Sequence, residues 1–338
     1  MLRAIQDLPG LLPFALGVHY SLLPKVITPL LALIVWLWSL PAGASLITFV
    51  CANDLVNTCI KWAVQRPRPR WYSPDAGLVT RCGAWEVDLS FPSAHTQFFG
   101  GLGFCACALY GWPLAYACAF GFGVGFMRNY LSVHWPSDTL VGLLIGGGLG
   151  VVWGVYDPYG ALMRAASPSL SVRVATGFVG GLVGLLCLIR RLVPSITDET
   201  RSRWYANAVA ALPPEDREET LSNPSRLLQP RTLYSKLPMI VTVWCALAMT
   251  ALYPSMLPTA AAEPGASLAA RLVQAAVGIG GLAAVSALKK SVGEVRFVRL
   301  RPEQYKPALK ALTYMALCAW SFLLSQLAAR RVLALLAL

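Results

Sequence analysis

Residues 128–155 read RNYLSVHWPSDTLVGLLIGGGLGVVWGV, in which a short polar segment runs directly into a long apolar one. The apolar part, 138–155, has the length and composition of a helix that crosses a bilayer. In the polar part, Asp138 follows Pro136 in the first helical turn and lies within reach of His134. A carboxylate there can keep one imidazole nitrogen protonated and leave the other free as a nucleophile. This stretch therefore predicts a membrane helix that begins beside a reactive histidine.

Apolar segments of similar length recur along the chain. Of the 338 residues, 56% are hydrophobic and 13% are charged, whereas about 25% of the residues in a soluble domain are charged. A soluble globule of this length could not bury so much apolar surface, so we predict an integral membrane protein. The predicted spans are 25–40, 43–62, 94–110, 113–130, 138–155, 171–189, 237–255, 268–288 and 308–328.

Charge and cysteine usage argue against other classes of protein. The net charge is +12, but the basic residues lie in the loops between apolar segments, which indicates membrane topology rather than nucleic-acid binding. The nine cysteines are odd in number, fall mostly within apolar segments and show no paired spacing. We therefore predict neither a disulfide framework nor a zinc site.

A second polar cluster lies where the second predicted span ends. Lys61, Arg66, Arg68 and Arg70 fall within ten residues of sequence. Loop counter-charges and phospholipid headgroups would account for Arg66 and Arg70. Lys61 lies within the last turns of the span, where ionisable groups normally face the bundle interior and serve function. We therefore predict that Lys61 belongs to a functional site.

A third cluster, PSAHT at 92–96, opens the next span, and Ser93 is predicted to cap that helix. The free N–H groups of a first helical turn point towards anions, and the Ser93 hydroxyl adds a donor. His95 can donate or accept a proton. Taken alone, this pattern also fits a simple helix cap. His19 stands in no polar cluster of the sequence, and we predict that it is an interfacial residue without function.

Together the three clusters resemble the motifs of the type 2 phosphatidate phosphatase superfamily, which also contains the vanadium haloperoxidases. The family pattern is K-x6-R-P, then P-S-G-H, then S-R-x5-H-x3-D. This chain has Lys61 with Arg68-Pro69, then Pro92-Ser93-Ala94-His95, then Arg128 with His134 and Asp138. Ala94 replaces the motif glycine, and Met127 replaces the motif serine. The resemblance covers about 43–155.

The resemblance implies an all-α fold. We expect a polytopic membrane helix bundle with a six-helix acid-phosphatase-like core and about three additional C-terminal transmembrane helices. The sequence divides accordingly into a phosphatase core at 1–190, a polar loop at 191–236 and a C-terminal transmembrane unit at 237–338. The motifs fall at 61–69, 92–95 and 128–138, and the glycine-rich residues 144–152 are predicted to allow close helix packing.

The resemblance also implies a role for each site residue. His134 attacks phosphorus, Asp138 orients His134, and His95 protonates the leaving alcohol. The residues implied to bind the phosphoryl oxygens are Lys61, Arg68, Arg128, Ser93 and, through its amide, Ala94. No metal or other cofactor is expected, because fixed cations can neutralise the phosphoryl charge. These cations are also expected to lower the pKa of both histidines.

A site at the membrane interface favours a lipid phosphate monoester as the substrate. A polyprenyl pyrophosphate, or phosphotransfer to another alcohol, is an alternative, and glucose-6-phosphatase shows that the superfamily includes an enzyme with a soluble substrate. The extra C-terminal spans resemble those of sphingosine-1-phosphate phosphatases. A rival from another class is a catalytically weak membrane scaffold or lipid-binding subunit. A transporter would carry polar residues in the middle of several spans, whereas here they lie at one edge. The oligomeric state stays open.

The predicted spans place all three motifs on one face of the membrane, together with the N-terminus, 190–236 and 289–307. The other face holds only five of the 28 Lys and Arg residues: Arg164, Arg173, Arg271, Arg330 and Arg331. Because short loops rich in Lys and Arg stay cytoplasmic, we expect the site to face the cytosol, or the stroma or matrix of an organelle. The membrane would be an endomembrane such as the endoplasmic reticulum or plastid in a eukaryote, and the inner membrane in a bacterium.

Overall fold

The computed structural model describes most of the first 222 residues and a few positions beyond them. The described residues are 2–21, 33, 40–73, 78, 86–157, 168–222, 268–269, 272–273, 275–277, 279–280 and 332. All regular structure within them is helical, without a strand, which confirms the predicted all-α class for this part of the chain. The predicted spans 237–255 and 308–328, nearly all of 25–40 and most of 268–288 lie outside the described residues.

The described helices follow the predicted spans closely between residues 40 and 192. The helices are α1 (Leu2–Gln6), α2 (Leu12–Ser21), α3 (Leu40–Val64), α4 (Pro69–Tyr72), α5 (Ala94–Tyr110), α6 (Leu114–Tyr130), α7 (Pro136–Tyr156), α8 (Pro168–Leu192), α9 (Asp198–Ala210) and α10 (Pro214–Ser222). Apolar runs bounded by prolines and glycines therefore located α3 and α5–α8 to within a few residues.

Among the described residues, α7 is the one helix both long and apolar enough to cross a membrane, with 21 residues and a mean hydropathy of 1.7. Helices α5 and α6 have 17 residues each, at the lower limit of the roughly 17 to 25 residues that a bilayer requires. Helix α3 is longer but carries the buried polar residues Asn53, Asn57 and Lys61. The number of membrane crossings stays a prediction.

The chain divides into two compact units, of which the first comprises residues 1–23, 53–156 and 184–231. This first unit contains every candidate site residue. The second unit comprises 24–52, 157–183 and 232–338. Within it, the Ser45 hydroxyl donates to Asp157 Oδ1 at 3.4 Å, and Phe49 is buried.

Helices α5 and α7 touch along their backbones because glycines line the contact. A Cβ added to Gly146 would lie 1.9 Å from the carbonyl oxygen of Gln97, and one added to Gly150 would lie 2.1 Å from that of Gly101. Neither position could hold a side chain without moving the two helices apart. Close packing predicted for residues 144–152 is therefore confirmed. The contact also joins the start of α5 to the start of α7, since the Ser93 N–H donates to the Asp138 carbonyl at 3.0 Å.

The N-terminal helices pack on the end of α6 and the loop after it. Ala15 of α2 forms a buried cluster with Tyr130, Leu131 and Val133. Met127, which stands where the family motif has serine, packs against this cluster. An apolar side chain at this position therefore supports the docking of α2 beside the residues that precede His134.

The segment predicted as a polar loop contains helices α9 and α10. Thr197 caps α9 by accepting from the Thr200 N–H at 3.2 Å, and acidic residues in the first turn suit the helix dipole. Helix α9 packs on α4, because Asn207 donates to the Trp71 carbonyl at 3.0 Å and Trp204 lies 5.9 Å from the Trp71 ring. The segment thereby supports the stretch that carries Arg68 and Arg70.

Candidate active site

The two cations of the first motif meet at the backbone of residues 88–89. Lys61, 4% exposed at the end of α3, donates from Nζ to the Leu89 carbonyl. Arg68 donates from Nε to the Asp88 carbonyl at 2.6 Å and from Nη2 to the Leu89 carbonyl at 3.3 Å. These bonds fix both side chains in the interior, as predicted for Lys61 from its depth in the helix.

Arg68 also connects the first motif to the third. Its Nη1 donates to the Val133 carbonyl at 2.7 Å and lies 3.3 Å from His134 Nε2. A guanidinium has donors only, so Nε2 must be the acceptor in this contact. A neutral His134 ring therefore carries its proton on Nδ1 and presents a lone pair at Nε2.

The protonated nitrogen of His134 faces two oxygen acceptors. Nδ1 lies 3.6 Å from Asp138 Oδ2 and 3.5 Å from Ser90 Oγ. Ser90 in turn donates its hydroxyl to Asp138 Oδ2, so its oxygen lone pairs are free to accept. The predicted pairing of His134 with Asp138 is present, and Ser90 joins it.

Asp138 is held by two further groups that the motif pattern did not include. Arg66 Nη1 donates to Asp138 Oδ1 at 2.9 Å, and the Trp135 N–H donates to Oδ2 at 2.9 Å. The Arg66 guanidinium lies 5.2 Å from the Trp135 ring centroid, and it also donates to Ser137 Oγ at 2.7 Å. The counter-charge of Arg66 is thus the site carboxylate, while its side chain stays 34% exposed, so a headgroup contact stays a prediction.

Ser93 caps α5 as predicted. Its Oγ accepts from the Thr96 N–H at 3.4 Å and from the Thr96 hydroxyl at 3.1 Å. Both contacts use the oxygen as acceptor, which leaves the Ser93 hydroxyl hydrogen able to donate. Ala94 is the first residue of α5 and is half-buried. The second motif therefore presents a capped helix start within the same unit as His134 and Asp138.

His95 is held by the N-terminal helix α2. Its Nε2 lies 3.1 Å from the carbonyl oxygen of His19, which can only accept, so Nε2 carries the proton. The two imidazole rings stack with centroids 6.2 Å apart and 8° between their planes. His19 Nδ1 lies 2.9 Å from Arg128 Nη1. The prediction that His19 is an interfacial residue without polar neighbours was wrong: the side chain is buried, and a separation of 76 positions between His19 and His95 conceals these contacts in the sequence.

Arg128 meets a carboxylate that the sequence reasoning missed. Its side chain is fully buried, and its Nη2 donates to Glu86 Oε1. Glu86 Oε2 lies 3.6 Å from Arg68 Nη2. Glu86 stands in a loop outside all three motifs, so no spacing rule could have indicated it. The structure thus brings the predicted residues of three motifs into one unit and adds Glu86, His19, Ser90 and Arg66 to them.

Burial is the main cause of the pKa shifts of His134 and Arg70. Burial, together with the charges of Arg68 and Arg128, lowers the pKa of His134 from 6.5 to about 3, so the ring stays neutral at physiological pH. The lowering was predicted, although the neighbouring cations come second to burial as its cause. Burial and the charge of Arg68 likewise lower the pKa of Arg70 to about 9. Arg70 is 2% exposed, so the prediction that it contacts lipid headgroups was wrong.

Glu86 is ionised for the opposite reason. Burial alone would raise the pKa of its carboxyl, but the charges of Arg68 and Arg128 hold that pKa well below its usual range. Within the described residues, no three His, Cys, Asp or Glu side chains come together as a possible metal site. Independence from metals stays a prediction.

The pKa of His134 gives an expected pH dependence of stability. Between pH 6.5 and about 3 the unfolded chain binds a proton at this residue and the folded chain does not. The stabilisation is therefore complete above pH 6.5 and is lost as the pH falls below it. We expect the Tm of the detergent-solubilised protein to fall from pH 7.5 to 5, and His134→Gln to flatten this slope. Glu86 acts in a lower pH window and does not contribute there. Equal slopes in the two proteins would contradict the assignment.

Comparison with known proteins identifies the family. The model of the PAP2 superfamily matches residues 18–159. The chain is also 30% identical over 148 residues to a protein of Escherichia coli (strain K12) that is provisionally named an undecaprenyl-diphosphatase, and the match covers 42% of this chain and 73% of the relative. The chain belongs to the PAP2 superfamily. The resemblance to type 2 phosphatidate phosphatases is thereby confirmed.

A second relative is also named as a phosphatase. It is the lipid A 1-phosphatase of Rhizobium etli, 33% identical over 130 residues, which are 37% of this chain and 54% of the relative. No solved structure gives a significant match to the chain. The residues that build the site, from His19 to Asp138, all lie within the 18–159 stretch that the PAP2 model matches.

Proposed function

We propose that this PAP2 protein is a membrane-embedded phosphatase that hydrolyses a lipid phosphate monoester through a phosphohistidine intermediate. One observation carries the proposal: His134 presents Nε2 beside the Arg68 guanidinium while Nδ1 faces Asp138. This arrangement supplies a neutral nucleophile with a positive charge next to the phosphorus that it would attack. Both relatives are named as phosphatases of lipids, which supports a lipid phosphate as the substrate class.

In the first step, His134 Nε2 attacks phosphorus, the N–P bond forms and the P–O bond to the lipid breaks. Asp138 and Ser90 stabilise the positive charge that develops on the ring through its Nδ1 proton. The leaving alkoxide takes a proton from His95. His95 acts as the acid in its imidazolium form, in which Nδ1 carries the proton that is transferred while Nε2 continues to donate to the His19 carbonyl.

In the second step, water attacks the phosphorus of the phosphohistidine. His95, now neutral, accepts the proton of the water, the N–P bond breaks and inorganic phosphate leaves. The same imidazole thus acts first as an acid and then as a base, which returns the enzyme to its starting protonation state.

The buried cations are proposed to bind the phosphoryl oxygens. Lys61 and Arg68 contact the backbone of Leu89, and Arg128 contacts the side chain of Glu86 in the same loop. Phosphoryl transfer depends on positioning and charge neutralisation, which these fixed cations can provide. The Ser93 hydroxyl and the Ala94 amide would add neutral donors at the start of α5.

We propose the predicted polytopic organisation for the whole chain: a phosphatase core at 1–190, a polar segment at 191–236 and a C-terminal transmembrane unit at 237–338. Its support is the recurrence of long apolar segments and the apolar helix α7. A lipid in such a bilayer could present its phosphate to a site at the helix ends.

A polyprenyl diphosphate is the second candidate substrate, and the name of the Escherichia coli relative favours it. Transfer of the phosphoryl group to another alcohol would follow if that alcohol replaced water in the second step. A scaffold without activity was suggested by Met127, but that side chain packs against the α2 cluster, and we expect turnover instead.

A phosphate-release assay tests the proposed function. Full-length protein in detergent is given phosphatidate, sphingosine-1-phosphate and polyprenyl diphosphate, with and without EDTA. We expect release from at least one lipid, unchanged by EDTA. If no lipid releases phosphate, the protein is not the proposed enzyme; if EDTA abolishes release and Mg²⁺ restores it, the metal-independent mechanism is wrong.

The side of the membrane that the site faces is a separate expectation. If 191–236 is cytosolic, an impermeant maleimide added to intact cells should not label Ala206→Cys, an exposed position on α9. Arg173→Cys, exposed on α8 and predicted on the other face, should be labelled. Tyr205 is a poorer probe, because it packs beside Trp71. The protein without either substitution is the control. Labelling of Ala206→Cys in intact cells would show that 191–236 faces the outside, contrary to the expectation.

A further inference from the structure

Glu86 places an anion between the two guanidiniums that are proposed to bind phosphate. Its Oε1 accepts from Arg128 Nη2, and its Oε2 lies 3.6 Å from Arg68 Nη2. Each carboxylate oxygen therefore faces a different arginine, as two oxygens of a phosphoryl group would. His19 Nδ1 lies 3.6 Å from the same Oε1.

The position of this carboxylate relates directly to the nucleophile. The Arg68 guanidinium that faces Glu86 through Nη2 faces His134 Nε2 through Nη1 at 3.3 Å. A phosphoryl group in line with Nε2 would use the same guanidinium. Both arginines are almost fully buried, whereas the Glu86 side chain is 20% exposed and can turn towards solvent.

We propose that Glu86 occupies the phosphate position of the site and competes with the substrate for Arg68 and Arg128, so that a phosphoryl group must displace this carboxylate before His134 Nε2 can attack it. The inference rests on the proposed function, because it names the group that the phosphate must displace at the same site.

Charge explains the exchange. A phosphate monoester carries about −1.5 to −2 charges at pH 7, whereas the Glu86 carboxylate carries one. A diester also carries one charge and gains less, but this difference between the esters is the same with and without Glu86, because both must displace the same carboxylate. Exchange for a monoester gains close to one further charge in a water-poor site, where such interactions are strong. The released carboxylate regains solvent at the opening of the site.

A purely structural Glu86 would behave in the opposite way. If the carboxylate served to hold the arginines in place, its removal would let them move and would weaken anion binding. If it competes with the substrate, its removal strengthens anion binding. The sign of the change in phosphate affinity therefore separates the two roles.

The test compares full-length protein in detergent with Glu86→Gln and with Asp88→Asn. Asp88 is a charge-matched control in the same loop, and its Oδ1 accepts from the Leu89 N–H at 2.9 Å. Inorganic phosphate is titrated by calorimetry. Turnover is measured with para-nitrophenyl phosphate, a monoester, and bis(para-nitrophenyl) phosphate, a diester, and Tm reports folding.

We expect Glu86→Gln to bind phosphate roughly tenfold more tightly, as loss of one competing charge pair would produce. Its kcat/KM should rise by a similar factor for the monoester and the diester alike, because displacement of Glu86 costs the same for both, while Asp88→Asn should keep the wild-type values. Glu86→Asp keeps the charge on a shorter side chain, so its phosphate affinity should lie between those of the wild type and Glu86→Gln. This variant decides the question if Glu86→Gln does not fold.

Unchanged or weaker phosphate binding in Glu86→Gln would overturn the inference. Failure of the proposed function would look different. In that case the wild type would hydrolyse neither ester, while the phosphate affinities of wild type and Glu86→Gln would still differ as expected.

Discussion

His134→Ala is expected to abolish phosphate release, with kcat falling by at least about 10⁴-fold, as removal of a covalent nucleophile does in other enzymes. The variant lacks the Nε2 lone pair beside Arg68, so no N–P bond can form. The three cations would remain, so the variant should still bind the substrate and inorganic phosphate. The loss should therefore lie in kcat rather than in KM.

A direct measurement accompanies this prediction. Wild-type protein mixed with a ³²P-labelled substrate and quenched in base should retain label as an acid-labile, base-stable adduct, and His134→Ala should retain none. Vanadate, which can form a trigonal bipyramid on Nε2, should inhibit the wild type. Near-normal turnover in His134→Ala would contradict the proposed mechanism. His19→Ala is the matched control, because it removes an imidazole from the same site and should still form the adduct.

His95→Ala is expected to slow hydrolysis of a lipid phosphate by about 10²- to 10⁴-fold, the usual contribution of a general acid or base. The reason is that a lipid alkoxide is a poor leaving group without a proton. Nitrophenolate needs no proton, so the first step should survive with para-nitrophenyl phosphate. The second step would stay slow because no base activates water.

The expected signature is a burst of one nitrophenolate per enzyme followed by slow turnover. His19→Ala serves again for comparison, since it loosens His95 without removing it. It should reduce the steady rate by less than about tenfold and show no burst. If His95→Ala slows both esters equally and without a burst, His95 has a positioning role instead.

The residues that sequence could predict are those whose neighbours lie close along the chain. Asp138 is four positions from His134, and Ser93 caps the helix that it precedes, so local helical geometry is enough for both. The helix boundaries followed for the same reason, because the length of an apolar run and its prolines are local properties. Family resemblance supplied the expectation that three such local clusters share one site.

The residues that sequence could not predict reach the site through long-range contacts. His19 and Glu86 are 109 and 42 residues from Arg128, and neither stands in a periodic or capped pattern. The burial of Arg70 and the contact of Arg66 with Asp138 were missed, because a run of cations has the same appearance whether it faces headgroups or a protein interior. Only the folding of residues 86–90 across the first motif distinguishes the two cases.

The backbone contact between α5 and α7 has a consequence for how the sequence can vary. Gly146 and Gly150 face the other helix, whereas a Cβ at Gly148 would meet nothing within 4 Å. Tolerance to substitution along α7 should therefore repeat with about the 3.6-residue period of the helix. Gly146 lies about two turns along α7 from Asp138, yet a methyl group there would separate the two helices that carry Ser93 and Asp138. The positions that forbid change follow the line where the backbones touch, and distance from the reacting phosphorus is a poor guide to them.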